Sequence, residues 1–487
     1  MMRRHTGVPR LLAVFAIIGL TPPAKAFSCG RSARTRTSFL FRASASGVVE
    51  ADTGSDPIDT SISSTPPSWD ELSSDLAALA TDEAGDTGEE GAPQPLVTLY
   101  RDTNGWCPFC ERVWLVLRAK GIPYAEEVVS LQKKPDWYKA LVPTALVPAV
   151  LFHGEVDGGG DERRIVWESA SVLRALDEAF PNHGPPLMRE GEEDFDNAVR
   201  MGEDLSMAGF AFAFAGRNAT LTEDERDERR SKFMAELDRL DGAISEFGGP
   251  FRLGSNFTAV DAILVPMLER WRHQLPITAN VDILEARPGL VKWFEAMDAF
   301  EPYRGRVMGD KYSWTATNSM FLRFFGGGED KPEISALIER ADAAAETLTS
   351  AFVEDALAME EDGDDHNGYS REAAAKLIEN HEAVVGDCTR ADPVSQAHIG
   401  RAVDEDSADA VLRYAASILL SSSDGVVASA RRAPLVEVAG GKAKDAALAA
   451  RTVASRLCVP RDMSAPAACI LRGVLATVAG RLDEEGA

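Results

Sequence analysis

Residues 105–114 read Gly-Trp-Cys-Pro-Phe-Cys-Glu-Arg-Val-Trp, and this stretch constrains the chain more than any other. A short apolar run, Leu96-Val97-Thr98-Leu99-Tyr100, stands before it. A periodic run, Val113, Leu115, Val116, Leu117 and Ala119, stands after it. The order predicts strand, tight loop and helix, with Cys107 and Cys110 at the helix mouth. There, free backbone N–H groups and the positive end of the helix dipole favour thiolate over thiol, which makes a cysteine nucleophilic. A second thiol three residues on can attack a mixed disulfide formed on the first. A closed metal site needs further ligands, and no other Cys-x-x-Cys, Cys-x-x-His or His-x-x-x-His pattern exists to supply them. No metal is expected.

The length of 487 residues leaves room for two or three domains. A net charge of −26 argues against nucleic acid or an anionic membrane as the main partner, since either needs a basic face. Six cysteines in so long a chain do not make a disulfide framework. Cys388, Cys458 and Cys469 are expected to be buried small hydrophobes.

Arg3, Arg4 and Arg10 precede the apolar run Leu11–Leu20 and then Ala24-Lys25-Ala26. This predicts a signal peptide over 1–26, whose apolar run is too short to span a bilayer. Residues 27–42 carry Arg31, Arg34, Arg36 and Arg42 among serines and threonines, with no acid, which is transit-peptide chemistry. Together the two segments resemble the bipartite plastid leader of algae with secondary plastids. That resemblance implies a plastid location, with the secretory pathway as the alternative, and no membrane segment in the mature chain. Residues 43–93 contain no Lys or Arg and are rich in acids, Ser, Thr, Gly and Pro, so a disordered linker is expected. Trp69, Leu72, Leu76 and Leu79 have the spacing of a short helix within it.

A first folded domain is expected over 94–182. After the first helix, Gly121-Ile122-Pro123-Tyr124 turns the chain into a strand, Ala125 to Val129. Pro135-Asp136-Trp137-Tyr138 opens a short helix, and Leu146 to Phe152 is an apolar strand opening at Pro148. A Gly- and Asp-rich loop, a strand ending at Trp167, and a helix from Ala170 to Phe180 behind Glu168-Ser169 complete the order β-α-β-α-β-β-α, a thioredoxin-like layout.

The runs WCPFCERVWLVLRAKGIPY, KKPDWY, LVPAVL and WESASVLRALDEAFP, in this order, resemble the N-terminal domain of glutathione transferases. They are most similar to the omega class, with the dehydroascorbate reductase and lambda classes next. The resemblance implies glutathione as cosubstrate and a catalytic role for Cys107, which forms a mixed disulfide with it. It implies a cis bond at Val147–Pro148, with the backbone of Val147 pairing with the cysteinyl part of glutathione. Glu168 and Ser169 match the pair that binds the γ-glutamyl end, Lys134 matches a lysine that reaches the glycine carboxylate, and Phe109 walls the cysteine. Cys110 departs from the omega pattern, which places a small non-thiol residue there. Two readings of Cys110 stand: a resolving thiol, or a buried inert one.

Residues 188–325 show long helical patterns, expected as the all-α C-terminal domain of the same superfamily. Thr258 and Asp261 form an S/T-x-x-D capping box, and a proline follows at 266. Phe210, Phe214, Trp271 and His273 are candidates to line a second-substrate pocket. Asn218 and Asn256 head glycosylation sequons, the second read as incidental because it overlaps the capping box. Behind Gly326-Gly327-Gly328, residues 329–487 are expected as an additional all-α extension. One face is formed by Ile334, Leu337, Ile338, Ala341, Leu348 and Phe352, an acidic loop covers 362–368, and helices follow near 370–385, 406–421, 442–457 and 465–482. A homodimer and a protein partner for the extension stay open.

The chemistry expected is glutathione-dependent thiol transfer, as deglutathionylation or dehydroascorbate reduction, through Cys107. Conjugation to electrophiles fits less well, because it needs a hydroxyl to activate the glutathione thiolate. The rivals are a non-catalytic glutathione transferase-fold binding or scaffold protein, and a dithiol reductase of protein disulfides that depends on Cys110.

Overall fold

The computed structural model describes residues 62–84, 94–131, 133–153, 164–215, 221–325, 331–361, 366–389, 403–421, 425–438 and 442–485. The expected leader and the sequon at Asn218 lie outside these residues. Helix α1 spans Trp69–Ala84. The sheet unit follows as β1 (Val97–Asp102), α2 (Pro108–Ala119), β2 (Tyr124–Val129), α3 (Asp136–Leu141), β3 (Ala149–Phe152), β4 (Ile165–Trp167) and α4 (Ser169–Ala179). The strand order is β2-β1-β3-β4, with β1 and β2 parallel and β3 antiparallel to both its neighbours. One face of the sheet is covered by α2, which buries Val113, Trp114, Leu115, Val116 and Leu117. On the other, Tyr138 of α3 packs with Tyr100, Val129, Val142 and Ala149. This is the thioredoxin-like arrangement expected.

Next come α5 (Glu193–Ala215), α6 (Glu223–Glu246), α7 (Ala259–Thr278), α8 (Pro288–Ala299), α9 (Glu301–Arg304) and α10 (Lys311–Phe325). Asp261 is fully buried at the start of α7. Its carboxylate accepts the Thr258 N–H at 2.9 Å, the Thr258 hydroxyl at 3.0 Å, the Arg252 N–H at 2.9 Å and the Trp293 indole N–H at 2.9 Å. The capping box therefore ties together helix start, preceding loop and α8. Thr222 and Glu225 build a second box at the start of α6. Trp271 does not line a pocket: it is 3% exposed, and a Cβ on Gly209 would come within 2.1 Å of its ring. The missing side chain lets α5 close over the indole.

The apolar cluster of the sheet unit runs on without a break into α5–α9. Inside the junction lies a buried charge group. Arg270 of α7 reaches Glu111 of α2 at 2.7 Å, and the neighbouring Glu269 accepts the Tyr303 hydroxyl at 2.6 Å and the Gly309 N–H at 2.9 Å. The other oxygen of Glu269 is buried beside the Trp314 indole N–H. Burial, with the charge of Glu111 next, pushes the Glu269 carboxyl up to about 8.

The extension contains α11 (Pro332–Thr349), α12 (Phe352–Glu361), α13 (His366–Glu379), α14 (His381–Thr389), α15 (Glu405–Leu420), α16 (Val426–Arg432), α17 (Ala443–Arg456) and α18 (Ala465–Glu485). Two expectations change. The helix expected near 370–385 is two, because the Asn380 side-chain amide donates to the Lys376 carbonyl at 2.8 Å and His381 Nδ1 donates to the Ile378 carbonyl at 2.7 Å, competing with the helical bonds. The acidic loop has already become helix at His366. Helix α18 is long and apolar enough to cross a bilayer, with a mean hydropathy of 1.3, yet 78% of that window is buried inside the extension. It reads as a core helix.

The linker expectation over 43–93 is corrected for residues 62–84. Ile62 and Leu72, 3% and 0% exposed, belong to the core of the extension. Ser64 and Thr65 donate to the Glu437 carboxylate at 2.9 and 3.2 Å, and Arg413 donates to the carbonyls of Pro66 and Pro67 at 3.0 and 2.9 Å. The Trp69 indole donates to Asp409 at 2.8 Å and stacks on His381. The segment is polar overall, but Ile62, Trp69, Leu72 and Leu76 pack into one core.

Two outcomes follow from this packing. Leu72→Ala removes a fully buried side chain and should lower stability by about 2–5 kcal/mol, measured by chemical denaturation of the whole chain. For Glu269, the folded value lies above the unfolded one of about 4.5. Its stabilising contribution is complete below that value and is lost as pH rises through about 8. Thermal melts should therefore show wild type losing stability relative to Glu269→Gln between pH 6 and pH 9; a constant difference would contradict the assignment.

Candidate functional site

The register places several loops at one end of the sheet. Strand β1 ends at Asp102, opposite the end of β2 at Val129. Strand β3 begins at Ala149, opposite both Tyr100 and Trp167, the last residue of β4. The segment holding Cys107, the segment holding Lys134, the pair Val147-Pro148 and the pair Glu168-Ser169 thus all leave or enter the sheet at the same edge.

Cys107 is the N-cap of α2, with Pro108 in the first helical position, where a missing N–H costs nothing. Its loop is set from below by Asp102, which is fully buried and accepts the Trp106 N–H at 2.8 Å and the Cys107 N–H at 3.3 Å. Sequence reasoning missed Asp102; its one signal is an acid closing an otherwise apolar strand. Both cysteines are free thiols, and their sulfurs lie within 4.8 Å of each other and of an Asp102 oxygen. These three donors fall short of the four of a closed structural metal site.

The two thiols differ in access. Cys107 is partly exposed, whereas Cys110 is 2% exposed. Burial, then its hydrogen bond with Cys107, pushes the Cys110 thiol well above its ordinary range. Arg112, one turn further, is 7% exposed and sits 5.0 Å from the Phe109 ring centroid, holding that half-buried ring beside the cysteine loop. Burial pulls Arg112 down to about 10, and Cys107 is the largest charge acting against that shift. Lys134 is partly buried; burial lowers its value and Cys107 again acts in the opposite sense. Lys134 and Arg112 are the cations that sense the Cys107 sulfur.

The remaining expected residues are polar groups without partners. The Val147–Pro148 bond is cis. Val147 lies outside the strand ladder and its backbone makes no hydrogen bond among the described residues. Glu168 adopts φ 68° and ψ 121°, a conformation that costs an L-residue of the order of 1–3 kcal/mol and that clusters at functional sites. The sequence placed the helix start at Ala170, but Ser169 is already helical, Glu168 is the N-cap, and neither side chain caps the helix. Among the described residues the Glu168 carboxylate, the Ser169 hydroxyl and the Lys134 ammonium make no hydrogen bond or ion pair. Ser169 is 9% exposed at the mouth of α4, where backbone N–H groups suit an anion. The arrangement presents a partly exposed thiol, a helix start with free backbone N–H groups and, among the described residues, a carboxylate, an ammonium and a backbone segment without hydrogen-bond partners. His273 is partly buried, and desolvation lowers it to about 4.

Comparison with known proteins agrees with this geometry. Residues 106–179 match the family model for the glutathione S-transferase N-terminal domain, and residues 223–296 match that for the C-terminal domain. Glutathione S-transferase L2, chloroplastic, of Arabidopsis thaliana is 33% identical over 200 residues, 40% of this chain and 62% of that protein, so the match spans about three fifths of the relative's length. Glutathione S-transferase L3 of Arabidopsis thaliana is 30% identical over 214 residues, covering 43% of this chain and 82% of that protein. The solved structure of glutathione transferase Omega 3C from Trametes versicolor shares 25% identity with a TM-score of 0.36, over 47% of this chain and 92% of that one. With both domain models matched in order and a relative covered over most of its length, the chain belongs to the glutathione S-transferase family.

Proposed function

We propose that the protein is a glutathione-dependent thiol transferase acting through a mixed disulfide on Cys107. The observation that carries this reading is the set of unpaired polar groups at the sheet edge beside a partly exposed N-cap cysteine. Their types match glutathione part by part. Ser169 and the start of α4 take the γ-glutamyl carboxylate and Glu168 its ammonium. The Val147 backbone pairs with the cysteinyl unit, and Lys134 meets the glycine carboxylate. In the first step the Cys107 thiolate attacks the glutathione sulfur of a mixed disulfide. The S–S bond breaks, the acceptor leaves as a thiolate that takes a proton from water, and Cys107 carries glutathione. A second glutathione thiolate then attacks that disulfide, releasing glutathione disulfide and restoring Cys107. With dehydroascorbate two reduced glutathione molecules are consumed: the Cys107 and first glutathione thiols give up two electrons and two protons, forming their mixed disulfide as dehydroascorbate becomes ascorbate, and the second glutathione thiolate breaks that disulfide to release glutathione disulfide.

The dithiol reading is disfavoured by the burial of Cys110, which withholds its thiolate. A plastid location is supported by the basic, Ser-rich run at 27–42 and by the relative named chloroplastic. The acceptor is a small disulfide, a glutathionylated protein or dehydroascorbate.

The test is glutathione-dependent reduction of dehydroascorbate and of a small glutathione mixed disulfide. Cys107→Ser should abolish both, while Cys110→Ser should keep activity within about threefold near neutral pH, since an inert core thiol contributes only packing. Loss of activity in Cys110→Ser as well would establish dithiol chemistry instead. Ser169→Ala should raise the KM for glutathione about tenfold, the effect of losing one hydrogen bond to a charged group, with kcat little changed. An unchanged KM would remove Ser169 from the glutathione site.

A further inference from the structure

Among the described residues, the extension reaches the cysteine loop through one short segment, residues 457–462, between α17 and α18. Its Cys458 sulfur, 7% exposed, accepts the Trp106 indole N–H at 3.4 Å. Gly105, at φ 67°, lies against the same segment: a Cβ there would stand 3.4 Å from both the Arg461 nitrogen and the Pro460 ring. The segment is itself held firmly. Asp462 accepts the Cys458 N–H at 2.8 Å and pairs with Arg461, Ser313 accepts the Val459 N–H at 2.9 Å, and Arg472 donates to the Leu457 carbonyl at 2.7 Å. Arg306 donates to the Pro460 carbonyl. By contrast Lys134, Val147, Glu168 and Ser169 make no hydrogen bond or ion pair with residues 403–485.

Trp106 is consequently fixed by three separate parts of the molecule. Its N–H is held by Asp102, its carbonyl accepts from Arg270 at 3.1 Å, and its side chain is held by the extension. The indole remains partly exposed, with the Phe321 ring edge-on at 5.4 Å. It is the residue next to Cys107, turned toward the helical domain and the extension rather than toward the Lys134, Val147 and Ser169 groups.

We propose that the 457–462 segment makes the extension part of the acceptor side of the site: Cys458 orients Trp106, and Trp106 selects acceptors whose sulfur carries a flat aromatic group. This rests on the reading of Cys107 as the nucleophile. Trp106 is then a specificity-determining residue and Cys458 a positioning residue acting through it. The edge-on pair of Trp106 and Phe321 offers a planar group the offset and edge contacts aromatic rings favour, which a short aliphatic group cannot use.

The experiment uses the full chain and measures the rate of Cys107 modification, mapped by peptide mass spectrometry, with an aromatic dipyridyl disulfide and with bis-hydroxyethyl disulfide. In each reaction the Cys107 thiolate attacks one sulfur, the reagent S–S bond breaks, and the other half leaves as a thiolate. Glutathione affinity is measured separately by calorimetry. Cys458→Val, which fills the space without an acceptor atom, should lower the aromatic-to-aliphatic rate ratio about fivefold, as expected for one lost hydrogen bond. Cys458→Ser, which keeps an acceptor, should restore the ratio, and glutathione affinity should stay within about twofold throughout. In a Trp106→Ala background, Cys458→Val should have no further effect, because residues acting through one another are not additive. An unchanged ratio in Cys458→Val, additivity with Trp106→Ala, or a parallel fall in glutathione affinity would overturn the proposal. Cys458→Ala is a second variant without the acceptor, read by the same criteria if the valine variant does not fold. If Cys107 reacts with both reagents but glutathione neither binds nor supports turnover, the thiol-transferase reading fails while the rate ratio still decides the role of Trp106.

Discussion

One guanidinium holds the cysteine loop, helix α2 and the helical domain in a single arrangement. Arg270 bonds to Glu111 of α2 at 2.7 Å and to the Trp106 carbonyl at 3.1 Å, and its plane lies 4.1 Å from the Trp314 ring of α10. Glu111 and Arg270 are 2% and 5% exposed, so each is a charge that water does not satisfy. Removing one partner of such a pair typically costs 3–5 kcal/mol, because the other is left buried and unpaired. The pair is therefore a strong constraint on geometry whatever its net contribution to stability. Because Arg270 also grips Trp106, the position of Cys107 depends on correct docking of the helical domain and not on the sheet unit alone.

What the sequence disclosed was local or periodic. The strand–loop–helix around Cys107 and the Thr258–Asp261 box each lie within a few residues, and each was readable because a short spacing carries its own geometry; the cis bond at Pro148 came only from the family resemblance. The missed groups lack that property. Asp102 looks like a turn residue until its carboxylate is seen under two backbone N–H groups. Arg270 looks like a surface charge on a helix, since its partner stands 159 residues away. The expected linker failed for a related reason. Composition averages over a segment, whereas Ile62, Trp69 and Leu72 need only a matching surface, which lies more than three hundred residues on. For Trp271 pocket lining and core were both open from sequence, and it is core: Gly209 opposite it lets α5 close over the ring.

The extension encloses an apolar 21-residue helix, α18, within its own core. Small side chains dominate its surroundings: Ala446, Ala447, Ala449, Ala450 and Ala454 of α17 are buried in the same cluster as Ala467 and Ala468 of α18. Small residues let helix backbones approach closely, so α18 is enclosed without large gaps. A Cβ on Gly473 of α18 would stand 2.3 Å from the Ala356 side chain of α12, a second close approach. Such packing tolerates little substitution, and it makes the 457–462 segment rigid because both of its flanking helices are fixed. Rigidity there matters since this segment is what touches Trp106.

The same reasoning bears on the second cysteine. A thiol in a core behaves as a small hydrophobe and costs little. Its thiolate does not, because burial penalises the charge. At the third position of α2, Cys110 is enclosed by the packing that makes α2 a core helix, and it sits close enough to Cys107 that a negative sulfur there would disfavour a second one. The surroundings that let Cys110 exist in this helix are thus the surroundings that withhold it from exchange. Cys107, by contrast, is partly exposed, and the side chains of Lys134, Glu168 and Ser169 at the same end of the sheet make no hydrogen bond or ion pair among the described residues. The asymmetry between the two sulfurs is a consequence of which side of the helix start each occupies, and it is the reason an external thiol, not Cys110, is proposed as the resolving nucleophile.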